Sequence, residues 1–461
     1  MSMSESPGVL IFGGATRAAC WSAARAGLTA VCFDLFADCD FPPGAVVHKI
    51  ASMTDGNLLP VLEPFLRSYP AAALLPVGGG EYLSETLGSS GRVLGSRPSA
   101  ISRARDPRFV WRFLANQGLP TLPLRLPGEP VSGESAEKSR HPSVGIRWLR
   151  KSITSVGGLG IRRLAAGDLS PVPAGFYDQG EVDGIPCSAQ FLTCANARGE
   201  VDTELLGCTR QIIGSPELPA RPFAYAGNLF PLQSFEAIDR DHLLPLLHTI
   251  GRTCALACGL RGLWGLDFVL AGQTPYLVEI NPRYTAALEL MELAEQRSLL
   301  RDLPGLAEGR QVPPRGERSK PTRSIGKRIL YASRDFELPC DWSWDVVAGR
   351  VGQGHGGEGE RCWSVPTFSD LPAAGTAFRR EDPICTIWAT GDTGADCLEQ
   401  LRCPRNASAG PPLFGIIPTS RNSAVPTGWP VALSANEIRE HSEGILDRCH
   451  NRPTYESFTP A

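Results

Sequence analysis

The apolar positions of this chain change period several times, and each change predicts an element. Val9 to Phe12 is an unbroken apolar run leading into Gly13-Gly14. Thr16 is then placed to cap an Ala-rich helix ending at Gly27, and Thr29 to Phe33 forms a second strand closing on Asp34. This is a β-α-β unit of the doubly wound kind, and a third strand, Ala72 to Val77, runs into Gly78-Gly79-Gly80-Glu81. Asp106 precedes Pro107 as the cap of a helix that stops at Gly118. The stretch 127–143 has no period and reads as an exposed loop, after which a short strand ends at Lys151. Phe176 to Glu181 and Gly184 to Cys194 read as further strands, and Thr209 to Gln211 followed by Tyr225 to Pro231 as a polar strand and a glycine turn. Leu243, Leu244, Leu247, Ile250 and Cys254 mark one face of a helix from His242 to Cys258. Leu266 to Leu270 and Tyr276 to Ile280, joined by Ala-Gly-Gln-Thr-Pro, form a hairpin, and a helix follows from Ala286 to Leu299. A Pro/Arg/Gly-rich stretch, 304–323, separates this part from a β-rich segment containing Gly326 to Ala332 and Pro383 to Ala389. Asp396 to Arg402 and Ser434 to His450 are expected as terminal helices.

A chain of 461 residues with 42% hydrophobic content builds roughly two to four cores. The boundaries implied are 1–103, 104–302 and 324–461. The formal net charge of −3 and the lack of any basic run point away from a nucleic-acid partner. No apolar run approaches a membrane span and the first residues lack a leader pattern, so the expected location is the cytoplasm. The 14 cysteines include no C-x-x-C pair, and Cys20, Cys32, Cys187 and Cys194 fall in apolar patterns, so they read as small core residues. Only five of the 45 basic residues are lysine, which makes Lys151 conspicuous.

Two clusters carry candidate chemistry. In the hairpin, Glu279 and Asn281 are two apart and leave one face of the pleat. Alignment of Asp267 with them gives three hard oxygen ligands of the kind Mg²⁺ takes, with Arg283 on the same parity as a fork of donors for a phosphate or carboxylate. Upstream, Lys151 is followed by Gly157, Gly158 and Gly160, a point charge beside a backbone able to close over phosphates. The G-x-x-x-x-G-K-[ST] loop is absent. Each half alone has a bland reading, a solvated strand end or a surface lysine before a turn. Asp34 alone is weak support for a dinucleotide. The acidic loop Phe36 to Asp40 either meets substrate or is a solvated turn. His242 and His248 read as structural, His355 as part of a glycine loop, and Glu289 either helps close the site or is solvated.

The ordered set Lys151 with its glycines, a hinge strand, Arg210, and then Asp267, Glu279, Asn281 and Arg283 resembles the ATP-grasp superfamily. The resemblance implies an α/β and α+β multidomain fold of ATP-grasp architecture, with a Rossmann-like N-terminal domain and a C-terminal β-rich cap. It implies ATP with Mg²⁺ (or Mn²⁺) as cofactors, small-molecule carboxylate and amine substrates, and a homodimer. By the same resemblance Lys151, Gly157, Gly158 and Gly160 grip phosphates and Gln179 and Glu181 stand at the adenine hinge. Arg108 replaces a family lysine, Arg283 and Arg210 meet the reacting groups, and Asp267, Glu279 and Asn281 hold metal. The hinge acid is displaced relative to the family pattern. The expected activity is a ligase joining a carboxylate to an amine through an acyl phosphate. The nearest likeness is to carboligases related to biotin carboxylase, including those adding an amino acid such as glutamate in one-carbon cofactor synthesis. Two alternatives stay open at this point: a biotin-carboxylase-like component without its own carrier lysine, and a non-catalytic nucleotide-binding regulator.

Overall fold

A computed structural model describes residues 8–402 apart from 54, 84–86, 88–91, 129–146, 155–156, 159, 169, 196–199, 215–218, 304–322 and 345–361. The loop at 127–143, the 304–323 stretch, His355 and the helix expected from Ser434 to His450 lie wholly or almost wholly outside the described residues. Contacts divide the chain into Met1–Asn406 and Ala407–Ala461, and the description concerns the first unit.

The N-terminal part is a parallel sheet of β1 (Val9–Gly13), β2 (Ala30–Asp34), β3 (Val46–Lys49) and β4 (Ala73–Pro76), in the order β3-β2-β1-β4. β1, β2 and β4 are buried throughout, which is why they read as apolar runs and not as alternation. Helices α1 (Arg17–Arg25) and α2 (Asp55–Ser68) accompany this sheet. The cap expected at Thr16 is not made, because its hydroxyl donates instead to Asp34 Oδ2 at 2.8 Å. The other Asp34 oxygen accepts the N–H groups of Phe36 and Ala37, each at 2.8 Å. Asp34 therefore braces the end of its own strand.

Helices α3 (Pro98–Arg105) and α4 (Pro107–Asn116) meet at Asp106, whose carboxylate caps α4 by accepting from the N–H groups of Arg108 and Phe109 at 2.9 and 3.2 Å. A small antiparallel sheet follows, made of β5 (Leu124–Arg125), β6 (Arg147–Ser152), β7 (Arg162–Arg163) and β8 (Phe176–Glu181), ordered β5-β8-β6-β7.

The main sheet has eight strands. Its first five in sequence are β9 (Ile185–Ala195), β10 (Val201–Ile213), β11 (Tyr225–Phe230), β12 (Gly262–Ala271) and β13 (Thr274–Asn281). Then come β14 (Ser324–Tyr331), β15 (Phe336–Glu337), β16 (Phe368–Ser369), β17 (Ala377–Phe378) and β18 (Pro383–Gly391), of which β15 and β17 pair separately. The order is β13-β12-β9-β10-β11-β14-β18-β16. β14 and β18, read from sequence as belonging to a C-terminal β-rich segment, thus extend the central sheet. Helices α5 (Arg240–Cys258), α6 (Ala286–Glu295) and α7 (Gly394–Arg402) pack on it.

Alternation sorts the sheet's two faces. Cys187, Ala189, Phe191, Trp264, Leu266 and Phe268 face α5 and pack with its Leu243, Leu247, Ile250 and Cys254. Phe191 and Trp264 stack there with centroids 4.5 Å apart. Full burial of each large side chain contributes about 1.5–3 kcal/mol by the hydrophobic effect. The intervening residues, Ser188, Gln190, Gln211 and Asp267, are polar and fall on the other face. Among the described residues, no helix is long and apolar enough to cross a membrane.

Candidate functional site

The hairpin β12–β13 aligns Asp267 opposite Glu279 and Gly265 opposite Asn281. The register shifts just past Asp267, so that Phe268 pairs with Leu277 and Val278 is the extra residue of a β-bulge. Ile280 and Leu277, three apart, both reach the α5 core as a result. Glu279 and Asn281 stay together on the polar face beside Asp267, as the two-residue spacing requires.

Asn281 Nδ2 donates to Asp267 Oδ2 at 3.0 Å and lies 3.5 Å from Glu279 Oε1, while Gln211 Nε2 donates to Asp267 Oδ1 at 3.1 Å. Burial, and then the facing Glu279 carboxylate, push Asp267 up to about 7, against the hydrogen bonds from Ser188 and Asn281 and the Arg283 charge. Two carboxylates forced together in this way attract a cation. Among the described residues, no group of three His, Cys, Asp or Glu side chains is arranged for a metal. The present donors, two carboxylates and one carboxamide, fit a hard divalent ion that takes its remaining ligands from water and phosphate oxygens.

Lys151 comes to this pair from the small sheet. It is 4% exposed, and its Nζ donates to Gln179 Oε1 at 2.7 Å. Burial lowers its pKa, and Glu279 and Asp267 work in the opposite direction. Gln179 Nε2 donates in turn to the carbonyl of the bulge residue Val278 at 3.2 Å. The small sheet and the hairpin are thereby joined through one carboxamide. Around this junction lies a solvent-open cleft with about 620 Å³ of empty space, walled by Tyr177, Gln179, Trp111, Leu277, Glu279 and Arg105 among others.

Gly157, Gly158 and Gly160 all have positive φ, at 67°, 79° and 75°. Gly158 has a second requirement, since a Cβ there would lie 1.8 Å from the Phe223 carbonyl oxygen. The Gly157 carbonyl accepts from Tyr225 N at 3.2 Å, so the glycine turn rests on the start of β11.

Three residues singled out in the sequence do not join this group. Arg108 is exposed on the first turn of α4 and does not line the cleft. Glu181 is held by Arg163 at 2.9 Å and Arg147 at 3.2 Å, away from the cleft wall. Arg210 pairs with Glu236 at 2.7 Å and leaves β10 on the face opposite to Gln211, the residue that touches Asp267. Glu289 is not solvated: it is 1% exposed and receives Arg17 Nη2 at 2.9 Å and Lys327 Nζ at 3.1 Å. Although burial works against its ionisation, those two cations hold it below the ordinary range.

Two further residues belong to the site. Glu81, buried at the end of the triple-glycine turn, accepts from Arg105 Nη2 at 3.0 Å and from Arg283 Nε at 3.1 Å. Arg283 Nη2 also reaches Asn281 Oδ1 at 3.4 Å. Arg105 lines the cleft one residue before the Asp106 cap, and its Nε has no hydrogen-bond partner among the described residues. The acidic residue after three glycines was the only sequence signal for Glu81. For Arg105 the helical pattern gave none.

Residues 106–287 match the family model described as an ATP-grasp domain. No curated protein matches the chain by sequence. Among solved structures, it is similar to an L-amino acid ligase from Bacillus licheniformis, with TM-score 0.60 and 13% identity over 87% of this chain and 97% of that one. It is similar to a biotin carboxylase from Campylobacter jejuni, with TM-score 0.59 and 14% identity over 85% and 89%. An N5-carboxyaminoimidazole ribonucleotide synthetase from Thermus thermophilus gives TM-score 0.57 and 16% identity over 87% and 98%. The chain therefore has the ATP-grasp fold, and its residues 106–287 match an ATP-grasp domain.

Proposed function

We propose that this protein is an ATP- and Mg²⁺-dependent ligase that joins a small-molecule carboxylate to an amine through an acyl phosphate. The observation that carries the reading is the facing pair Asp267 and Glu279, with Lys151 brought beside it through Gln179. Asp267, Glu279 and Asn281 would hold Mg²⁺, which when bound draws charge from the phosphate oxygens. Lys151 and the cleft-lining Arg105 supply further positive charge, and the N–H groups of Gly157, Gly158 and Gly160 would meet the phosphates. Arg108 and Glu181, by their positions, have no part in this scheme, and Arg210 acts on the opposite face as a partner of Glu236. Arg283, held between Glu81 and Asn281, orients the acid.

The acid's oxygen attacks the γ-phosphorus as ADP leaves. The amine nitrogen then attacks the acyl carbon, phosphate departs, and the nitrogen loses its proton. Positioning and electrostatics suffice for both steps, and no side-chain nucleophile is needed. Similarity in fold to an amino acid ligase and to an N5-carboxyaminoimidazole ribonucleotide synthetase supports the reaction class. The addition of glutamate or another amino acid in one-carbon cofactor synthesis is a narrower form of the reading and rests on sequence resemblance alone.

The test is ADP release from MgATP in the presence of pooled carboxylic acids and amines. Turnover with at least one pair is expected, abolished in D267N and lowered at least tenfold in R105A, with R108A close to wild type. MgATP binding that persists unchanged in D267N would refute the metal assignment.

A further inference from the structure

The polar face of the main sheet does not end at Asp267. Across β12, β9 and β10, Asp267 stands opposite Ser188 and Ser188 opposite Thr209. One step along, Gln211 stands opposite Asn228, and Asn228 opposite Lys327. A register shift at the start of β11 sets Tyr225 opposite Ile213, on the same face as Gln211 and Asn228. Three atoms on this face are buried without a hydrogen-bond partner among the described residues: Thr209 Oγ1, Asn228 Oδ1 and the Tyr225 hydroxyl. Thr209 is 0% and Asn228 1% exposed. A buried unsatisfied polar group destabilises a fold, and native proteins keep few of them, so three on one patch beside a catalytic site call for a ligand.

The chemistry of the patch selects the ligand. A carboxamide oxygen accepts only, and both hydroxyls can accept as well. Burial first, and then Asp267, Tyr331, Asp370 and Glu289, raise the Tyr225 phenol, so the local field is negative. The nearby cations are already committed: Lys327 to Glu289 at 3.1 Å, and Arg17 to Glu289 at 2.9 Å and Asp370 at 2.7 Å. A patch of acceptors in a negative field takes a group rich in N–H donors and rejects a carboxylate. We infer that Thr209, Asn228 and Tyr225 form the subsite for the amine substrate, seating its nitrogen one strand from Ser188 and two from Asp267. The inference rests on the ligase reading and adds to it which residues choose the nucleophile.

Thermal melting tests it, using the full chain with and without MgATP. The probes are the twenty L-amino acids, methylamine and ethanolamine, each at millimolar concentration. At least one amine is expected to raise Tm by about 2 °C or more above the MgATP-bound protein. T209V, N228L and Y225F should keep the MgATP shift and lose most of the amine shift. T209V and N228L should also melt, without ligand, at or above the wild-type temperature, because each removes an unsatisfied polar atom without changing shape greatly. Retention of the amine shift in all three variants would overturn the inference. So would a lowered melting temperature of ligand-free T209V and N228L, which marks a structural role, or a wild type that responds to MgATP but to no amine. A wild type that does not respond to MgATP refutes the ligase reading itself.

Discussion

Replacement of Glu81 by alanine should be among the most damaging single changes available near the site. The Glu81 side chain is 0% exposed, and one of its oxygens accepts from two arginines at 3.0 and 3.1 Å whose side chains are only 10% and 13% exposed. At an effective dielectric constant of about 20, each pair at roughly 4 Å between charge centres attracts by about 4 kcal/mol before desolvation is counted. Removal of the shared anion leaves two cations buried in like-charge proximity, for which breaking a single buried pair already costs about 3–5 kcal/mol. Burial lowers the Arg105 pKa, but Tyr82, Glu81 and Glu279 together raise it above its ordinary value, so the arginine stays charged and does not escape by deprotonation. The expected result for E81A is a loss of about 3–5 kcal/mol in urea unfolding. E81Q, which keeps one acceptor oxygen, should lose less. If enough E81A folds to assay, the Mg²⁺ requirement should rise more than the requirement for ATP, because Arg283 is then released from its place beside Asn281. An E81A stability within about 1 kcal/mol of wild type would refute the argument that this carboxylate neutralises both arginines.

Other outcomes follow from the same structure. Burial, then Asp370, Asp40 and Asp34, push Asp38 up to about 8. Because the folded value is raised, the contribution to stability is fully present below the ordinary carboxylate value and lost as pH rises through about 8; the urea midpoint should fall between pH 6 and pH 9 in wild type and stay flatter in D38N. G158A should displace the glycine turn, since its Cβ would meet the Phe223 carbonyl oxygen at 1.8 Å; it should weaken ATP binding in calorimetry and lower the unfolding free energy by more than about 1 kcal/mol. K151M removes a buried cation bonded to Gln179 at 2.7 Å; ATP affinity should drop about tenfold to a hundredfold, while the ligand-free melting temperature does not fall.

The physical reasons for what could be read from the sequence, and what could not, are visible in particular residues. Period-two spacing fixes a face, so Glu279 and Asn281 had to project together, and hard oxygen donors in that number suit few ions other than Mg²⁺. A lysine in an arginine-rich chain and three glycines after it were equally local signals. The β-α-β opening, the Asp106 cap and the α5 stripe belong to the same class, because helix caps and apolar periods act over a few residues. Position relative to a distant strand is a different matter. Parity on β10 placed Arg210 and Gln211 on opposite faces, but only the pairing of β10 with β9 and β11 determined which face meets Asp267. Glu181 and Gln179 are two apart, yet Gln179 meets the Val278 carbonyl of the hairpin and Glu181 meets Arg163 of the small sheet itself. Glu289 looked solvated because its partners, Arg17 and Lys327, are 272 and 38 residues away. The sequence by itself thus determined which oxygen-bearing side chains share a face, where the glycine turn falls and the strands that carry them. Tertiary structure decided which charges face one another, because ion pairs and buried hydrogen bonds depend on distances of a few ångströms between segments that no local pattern connects.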